Sequence, residues 1–477
     1  METEKTYKEE KKHYNVKAIM LVLIIGSFIS LFNETILNVA LPKLMVQMNI
    51  TAPTAQWLTS GYILVVGMLV PVTAFLIHTY TTKQLFLSAM TLFLIGTIFA
   101  VFSTSFVALL ISRIIQASGT GMLIPIMMNT VLAVNPPEKR GSAIAICTSA
   151  ITLGPALGPV VSGLILQFFN WHVLFIIIIP ILIICMIFGY IFLENTSEIT
   201  KPKIDYLSIV LSSIGFAGVI YSISSVGTLN ILNILIIFAI GVISLILFGK
   251  RQLILDEPIL ELRAFKYPVF TIGVILVAIM QMLLFSMAMI IPMLLQNGLK
   301  TSSFVSAIAF LPAVLCIAIV TPFAGKLYDK IGGRTLIPFG LAIMFIFSLI
   351  LSRITPSTPI ITIITLYCII CIGVAMSMST SQTSSLNELS DKNQADGVAI
   401  VNTVSQIAGA LGSALYLGIL TVFQNNYLKN ISDPSSSQNK INALFNGFNH
   451  SLMAATIIFA VGFLLSLYLR VGNKKNI

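Results

Sequence analysis

Two side chains of this sequence stand where charge is most costly. The run from Ala18 to Pro42, bounded by Lys17 and Lys43, is about the length that crosses a bilayer, and it contains one acid, Glu34, within "SLFNETILNVALPKLM" (30–45). All the other acids of the 17 fall in termini, loops or the ends of apolar runs, and among the bases only Arg113 lies deep in such a run. Counting from Lys43 puts Glu34 about 13 Å below the outer end of its run at a rise of about 1.5 Å per residue, and Arg113 lies about 10 Å below the outer end of its own. The matched depths predict an acid and a base facing one cavity. Charges inside a membrane pair, face the interior and mark the path of an ion or substrate. A carboxylate there can hold a proton or a cationic solute in turn, which is what an exchanger requires. The alternative is an ion pair of purely structural use.

Other chemistries find less support. The four histidines (His13, His78, His172, His450) are scattered over different loops and run ends, which argues against an acid–base or metal centre and so against a membrane enzyme. All five cysteines lie inside apolar runs; "CIIC" (368–371) spaces two thiols as a metal or redox pair would, but with no other ligand near it reads as small apolar residues. No G-x-x-x-x-G-K-[ST] loop is present, so ATP is not the expected energy source, and no cofactor or metal is expected. A channel would call for a repeated pore ring.

The elements that must position Glu34 and Arg113 are membrane spans. Hydrophobic residues make up 57% of the chain and charged residues 9%, with a mean hydropathy of +0.98, a composition no soluble domain of 477 residues could bury. Fourteen apolar cores are legible, near 18–42, 55–77, 84–103, 106–132, 142–167, 172–193, 206–226, 230–249, 268–295, 302–325, 335–352, 358–381, 397–423 and 448–470. The longer polar stretches are 194–205, 250–267, 382–396 and 424–447. With the N-terminus in the cytoplasm, Lys and Arg concentrate on the inner segments and leave only Lys43, Lys300, Arg353, Lys429 and Lys440 outside. That bias places both termini in the cytoplasm. It also accounts for the net charge of +10 as an attraction to anionic inner-leaflet lipid, with no nucleic-acid partner.

A weak internal repeat orders these spans. "ALPKLMVQ" (40–47) resembles "IIPMLLQ" (290–296), and "RGSAIAI" (140–146) echoes "DGVAIVN" (396–402). Spans 1–6 and 9–14 read as two copies of one unit in the same orientation, with spans 7 and 8 inserted, an arrangement that places a site between the halves near the midplane.

The motifs are more specific. "GKLYDKIGGR" (325–334) is similar to the G-x-L-x-D-x-x-G-x-R loop of the major facilitator superfamily, and "RIIQASGTG" (113–121) resembles its R-x-x-Q-x-x-G element. "LGPALGP" (153–159) looks like the antiporter motif of the drug-efflux branches. "TILNVALP" (35–42), "QWLTSGYIL" (56–64) and "NTVSQIAGALG" (402–412) resemble the fourteen-span drug:proton antiporter family. The resemblance implies an all-α polytopic protein of the cell membrane with the major facilitator fold. It has a tail (1–17), a six-helix bundle (18–194), a linker with two inserted helices (195–267), a second six-helix bundle (268–470) and a tail (471–477).

Its implied function is proton-coupled export of lipophilic drugs by a monomer in contact with membrane lipids. Glu34 and Arg113 are read as the coupling pair. Asn33, Asn38, Gln116, Gln281, Phe285, Met289, Asn402 and Gln406 are read as cavity lining. Gly154, Pro155, Gly158 and Pro159, with Gly325, Asp329, Gly332 and Arg334, are read as the moving interface and gate. Asp329 is expected to cap the following helix or pair with a cation, as part of a charged clasp on the cytoplasmic side. Two departures stand out. In the first-half loop "AFLIHTYTTK" (74–83), His78 replaces the acid and Ala74 the glycine; it reads as an ordinary loop histidine. In span 1 the family's acid position is Asn33, and Glu34 is one residue later, turned by about 100° around the helix. Export of a single endogenous metabolite or lipid, or sodium coupling, remains open at this point.

Overall fold

The computed structural model describes residues 15–50, 52–196, 199, 205–224, 230–255, 258, 260–301, 303–390, 393–431 and 433–472. Fourteen long helices follow one another: α1 (Val16–Ile36), α2 (Ala52–Thr79), α3 (Thr82–Val101), α4 (Phe106–Val134), α5 (Arg140–Phe168), α6 (Ile178–Phe192), α7 (Tyr206–Ser224), α8 (Ile231–Ile254), α9 (Pro268–Met293), α10 (Ser303–Ile331), α11 (Gly333–Leu351), α12 (Ile360–Asn387), α13 (Gln394–Lys429) and α14 (Ser437–Gly472). Among the described residues, twelve helical segments are long and apolar enough to cross a membrane, thirteen if α2, bent by 47° near Pro71, is one span. Such a bend is what a residue without an N–H produces. The described part of α7 is shorter, so the expected count of fourteen spans is not reached by length and composition.

The first apolar run is not one helix. Pro42 has no N–H to donate, and the residue before a proline is steered away from helical angles. Helix α1 therefore stops at Ile36, the chain turns through 37–40, and a short helix, Leu41–Gln47, restarts with Pro42 in its first turn. In the turn Asn38 N–H donates to Thr35 O and Ala40 N–H to Leu37 O. Leu37, Ala40 and Leu44 are fully buried, so α1 ends inside the bundle and not at its surface. At the other extreme, α13 and α14 run well past a bilayer's thickness, and the polar stretch 424–447, expected as a loop, is mostly helical.

Helix α5 lies against both α1 and α10, and α2 lies against α4, α7 and α13. The inserted helices α7 and α8 form a hairpin closed by Gly215, Gly218 and Gly241, where a Cβ on Gly218 would come within 2.9 Å of Gly241 Cα. Arg251 holds Asp205 with two hydrogen bonds of 2.7 and 3.0 Å at one end of that hairpin. One buried apolar cluster is drawn mainly from Ile19 to Leu193, and another from Ile272 to Phe459. The face at which α1 begins is called the N face below.

Candidate functional site

Stopping α1 inside the bundle leaves its last carbonyls without helical donors. Arg113, on α4 and fully buried, supplies them. Its Nη1 donates to Asn33 O and its Nη2 to Glu34 O, both at 2.9 Å, while Nε donates to Leu58 O of α2 at 3.2 Å. The planar guanidinium fork can serve three carbonyls at once. A second Nη1 bond reaches Gln116 Oε1 at 3.1 Å, and the guanidinium lies 4.1 Å from the centre of the Tyr62 ring. Gln116 Oε1 also accepts from Asn33 Nδ2, and Gln116 Nε2 donates to Thr97 Oγ1 on α3, each at 3.1 Å. Tyr62 OH lies 2.5 Å from Thr120 Oγ1 and 3.3 Å from Ser30 O.

This arrangement corrects two readings of the sequence. Arg113 reaches the end of α1, as matched depth requires, but it binds the backbone of Glu34 and not its carboxylate. Among the described residues no ion pair within 4.0 Å joins the two side chains. Asn33 and Gln116 are fully buried and bonded to each other, and Arg113 holds the Asn33 backbone carbonyl and Gln116 Oε1, so in this conformation they brace the site and do not line a cavity, although Asn33 Oδ1 is buried without a partner among the described residues. Glu34 itself is 8% exposed, and its carboxylate makes no hydrogen bond among the described residues. Arg113→Lys is expected to destabilise the folded protein. An ammonium cannot span three carbonyls and an amide, and each buried acceptor left unserved costs about 1–3 kcal/mol. Thermal unfolding of the purified variant checks this; an unchanged midpoint would make the fork dispensable.

The glycines and prolines of "LGPALGP" bind α5 to α1. Pro159 has no N–H, so the Pro155 carbonyl lacks its helical donor, and Thr35 Oγ1 of α1 donates to it at 2.8 Å. A Cβ on Gly158 would meet Thr35 Oγ1 at 2.3 Å and Phe32 O at 2.9 Å, and one on Gly154 would meet Phe28 O at 3.0 Å. Gly158→Val should therefore part the helices and stop transport, at an overpacking cost of about 1–3 kcal/mol. Gly163, with nothing within 4 Å of its would-be Cβ, is the control: Gly163→Ala should transport normally. Equal transport by both variants would remove the packing argument.

At the N face, α5 meets α10. Among the described residues Asp329 neither caps α11 nor pairs with a cation, as the sequence suggested. Its Oδ2 accepts from Ser142 N–H at 2.9 Å and from the Ser142 hydroxyl, in the first turn of α5. The carboxylate thus sits where the helix N-terminus favours negative charge. Two glycines allow the approach: a Cβ on Gly141 would strike Asp329 Oδ1 at 2.3 Å, and one on Gly325 would strike Ala145 Cβ at 2.4 Å. Gly332, at φ 75°, begins α11 in a conformation that suits glycine, and Arg334 lines a cavity of about 430 Å³ with Tyr328, Ser384 and Glu388.

The remaining positions are dispersed. Asn38 accepts from Thr59 Oγ1 at 2.9 Å on an exposed surface. On α9, Phe285 covers Gly409 of α13, while Met289 is 54% exposed; Gln281 is half-buried on the same helix. Asn402 and Gln406 are half-buried on α13, and Asn402 Nδ2 is buried without a hydrogen-bond partner. No hydrogen bond among the described residues joins this second group to the first.

A protein-family model described as the Major Facilitator Superfamily matches residues 23–413. The chain belongs to the Major Facilitator Superfamily. Lincomycin resistance protein LmrB of Bacillus subtilis (strain 168) is 40% identical over 98% of both chains, and its namesake in Listeria innocua is 39% identical over 95% of this chain and 96% of its own. The solved major facilitator superfamily proton:xylose symporter XylE shares the fold at a TM-score of 0.66 with 16% identity, covering 96% of this chain and 95% of the other. The protein is a multi-pass membrane transporter of this superfamily and not an enzyme. Sequence reading had missed Tyr62, Thr97 and Thr120 in its site. Tyr62 and Thr120 lay inside quoted motifs, and Thr120, seven residues after Arg113, falls on the same helix face; Thr97 carried no signal.

Proposed function

We propose that the protein is a proton-coupled antiporter that exports lipophilic small molecules by alternating access, with Glu34 as the proton carrier. One observation carries the proposal. Glu34 is an acid held inside the bundle with its carboxylate uncommitted among the described residues, while Arg113, the base that reaches the end of its helix, is occupied by backbone carbonyls. Such a carboxylate is available to a proton and, when ionised, to a cationic group. The two lincomycin resistance relatives support drugs as the exported class.

The linkage to gating runs through α5. Thr35, next to Glu34, is bonded to Pro155, and about 20 Å further along α5 its first turn receives Asp329. A change at Glu34 therefore acts on the helix that closes the N face. In this reading the halves 18–194 and 268–470 rock about the α1–α5–α10 contacts, with 195–267 as the inserted pair. The N face is cytoplasmic, from the distribution of Lys and Arg, and the described state is shut on that side. Asn38, Gln281, Phe285, Met289, Asn402 and Gln406 line the drug path, and the monomer works within the lipid bilayer. The test is efflux of a fluorescent lipophilic substrate from proteoliposomes under an imposed pH gradient. Efflux that ignores the pH gradient but follows an imposed sodium gradient would replace the proton in this scheme.

A further inference from the structure

The repeat sets His78 of 74–83 at the position that Asp329 holds in 325–334, and Asp396 before Gly397 as Arg140 stands before Gly141. In the α5–α10 clasp the acid is on the loop side and the partner is a helix start. In the α2–α13 contact the acid has moved to the helix start, in the first turn of α13, and the loop side offers an imidazole. His78 Nε2 lies 4.0 Å from Asp396 Oδ1, with the side chains 21% and 11% exposed. The Glu261 backbone, in the segment leading into α9, also faces Asp396. Contacts that cross between α2 and α13 must part if the N face opens.

We infer that His78 and Asp396 form a second proton-binding site, at the N face, whose occupancy sets how firmly that face is shut. It rests on the alternating-access reading but not on Glu34. The contact is ionic only when His78 carries a proton and Asp396 does not; with His78 neutral, a largely buried carboxyl group faces a neutral ring. Proton and closure therefore favour each other, and a ligand that binds one state better shifts the population towards it. Acidifying the N-face solution far enough to protonate His78 while Asp396 is still ionised should close the latch, and raising its pH should loosen it. Among the described residues, the Glu261 carboxylate also acts on Asp396 while lying 3.6 Å from Arg263, and Lys83 lies 4.2 Å from the centre of the Tyr190 ring. Asp391 and Lys392 fall outside the described residues.

The test uses the full chain in lipid nanodiscs, without drug or gradient, so that failure of efflux coupling leaves it intact. In a variant lacking the native cysteines, spin labels on Tyr80→Cys and Glu388→Cys report the N-face separation between pH 5.5 and 8. The expected result is a growing long-distance population as pH rises. That response should be lost in His78→Gln and in Asp396→Asn, held at the short distance throughout in His78→Lys, and kept in Glu34→Gln. Asp329→Asn, which weakens the other clasp, should lengthen the distances without flattening the pH response. A pH response that survives in His78→Gln, or that vanishes only in Glu34→Gln, overturns the proposal.

Discussion

Replacing Glu34 by glutamine is expected to abolish efflux driven by a pH gradient while leaving the protein folded and inserted. Glutamine keeps the length and shape of the side chain but has no proton to exchange. The bonds that brace the end of α1 survive, because Arg113 donates to the carbonyls of Asn33 and Glu34 and not to the carboxylate. Those donors are indifferent to what the Glu34 side chain carries. Glu34→Gln thus separates coupling from stability in a way Arg113→Lys cannot. Two measurements define the outcome. Uphill efflux from proteoliposomes should fall to background at every pH gradient. Exchange of labelled for unlabelled neutral substrate needs neither net proton movement nor a charge at Glu34, and should persist. Efflux at the original rate in this variant would end the assignment of Glu34. Loss of both activities, with an unchanged unfolding temperature, would make Glu34 a substrate ligand only.

Composition and periodicity made the class legible, since a chain this apolar must span a membrane repeatedly, and the motif loops made the family legible. Depth counting brought Glu34 and Arg113 to one level, because helical rise is uniform enough, and the structure places the Arg113 guanidinium on the Glu34 backbone carbonyl. Sequence could not foresee what Arg113 would bind. The pairing of lone opposite charges looked like the cheapest solution, but the break at 37–40, caused by Pro42, created orphan carbonyls that a guanidinium fork satisfies first. The backbone supplied the acceptors, and a backbone does not appear in a list of charged residues. The same blindness hid Ser142, whose amide and hydroxyl receive Asp329, and the Pro155 carbonyl freed by Pro159. In each case proline or a helix end generates a polar group that has no letter of its own. His78 was read as an ordinary loop histidine, and nothing in the sequence pointed it to Asp396, over 300 residues away, which lies 4.0 Å from its Nε2.

The charge of the substrate should decide whether voltage matters to its export. Among the described residues Glu34 is the one acid deep within an apolar run, and the second half supplies none at that depth. A site with one negative charge accommodates a neutral or monocationic solute. A dication would bring an unpaired charge whose desolvation costs at least several kcal/mol, so dications should be poor substrates. One proton moving inward down about 100 mV releases about 2.3 kcal/mol, and one pH unit releases about 1.4 kcal/mol. Exchange of one proton for one monocation moves no net charge, so only the pH term acts, and accumulation is limited to roughly tenfold. Exchange for a neutral compound moves one charge, both terms act, and about 3.7 kcal/mol supports a gradient of several hundredfold. Collapsing the voltage at a fixed pH gradient should therefore cut the steady-state gradient of a neutral substrate by more than tenfold and leave that of a monocation unchanged. The measurement is substrate distribution in proteoliposomes with potassium and valinomycin clamping the voltage while pH is held on both sides. Voltage-dependent accumulation of a monocation, or robust transport of a dication, would require a second proton per cycle and a second acid to carry it, which a single carboxylate at Glu34 cannot provide.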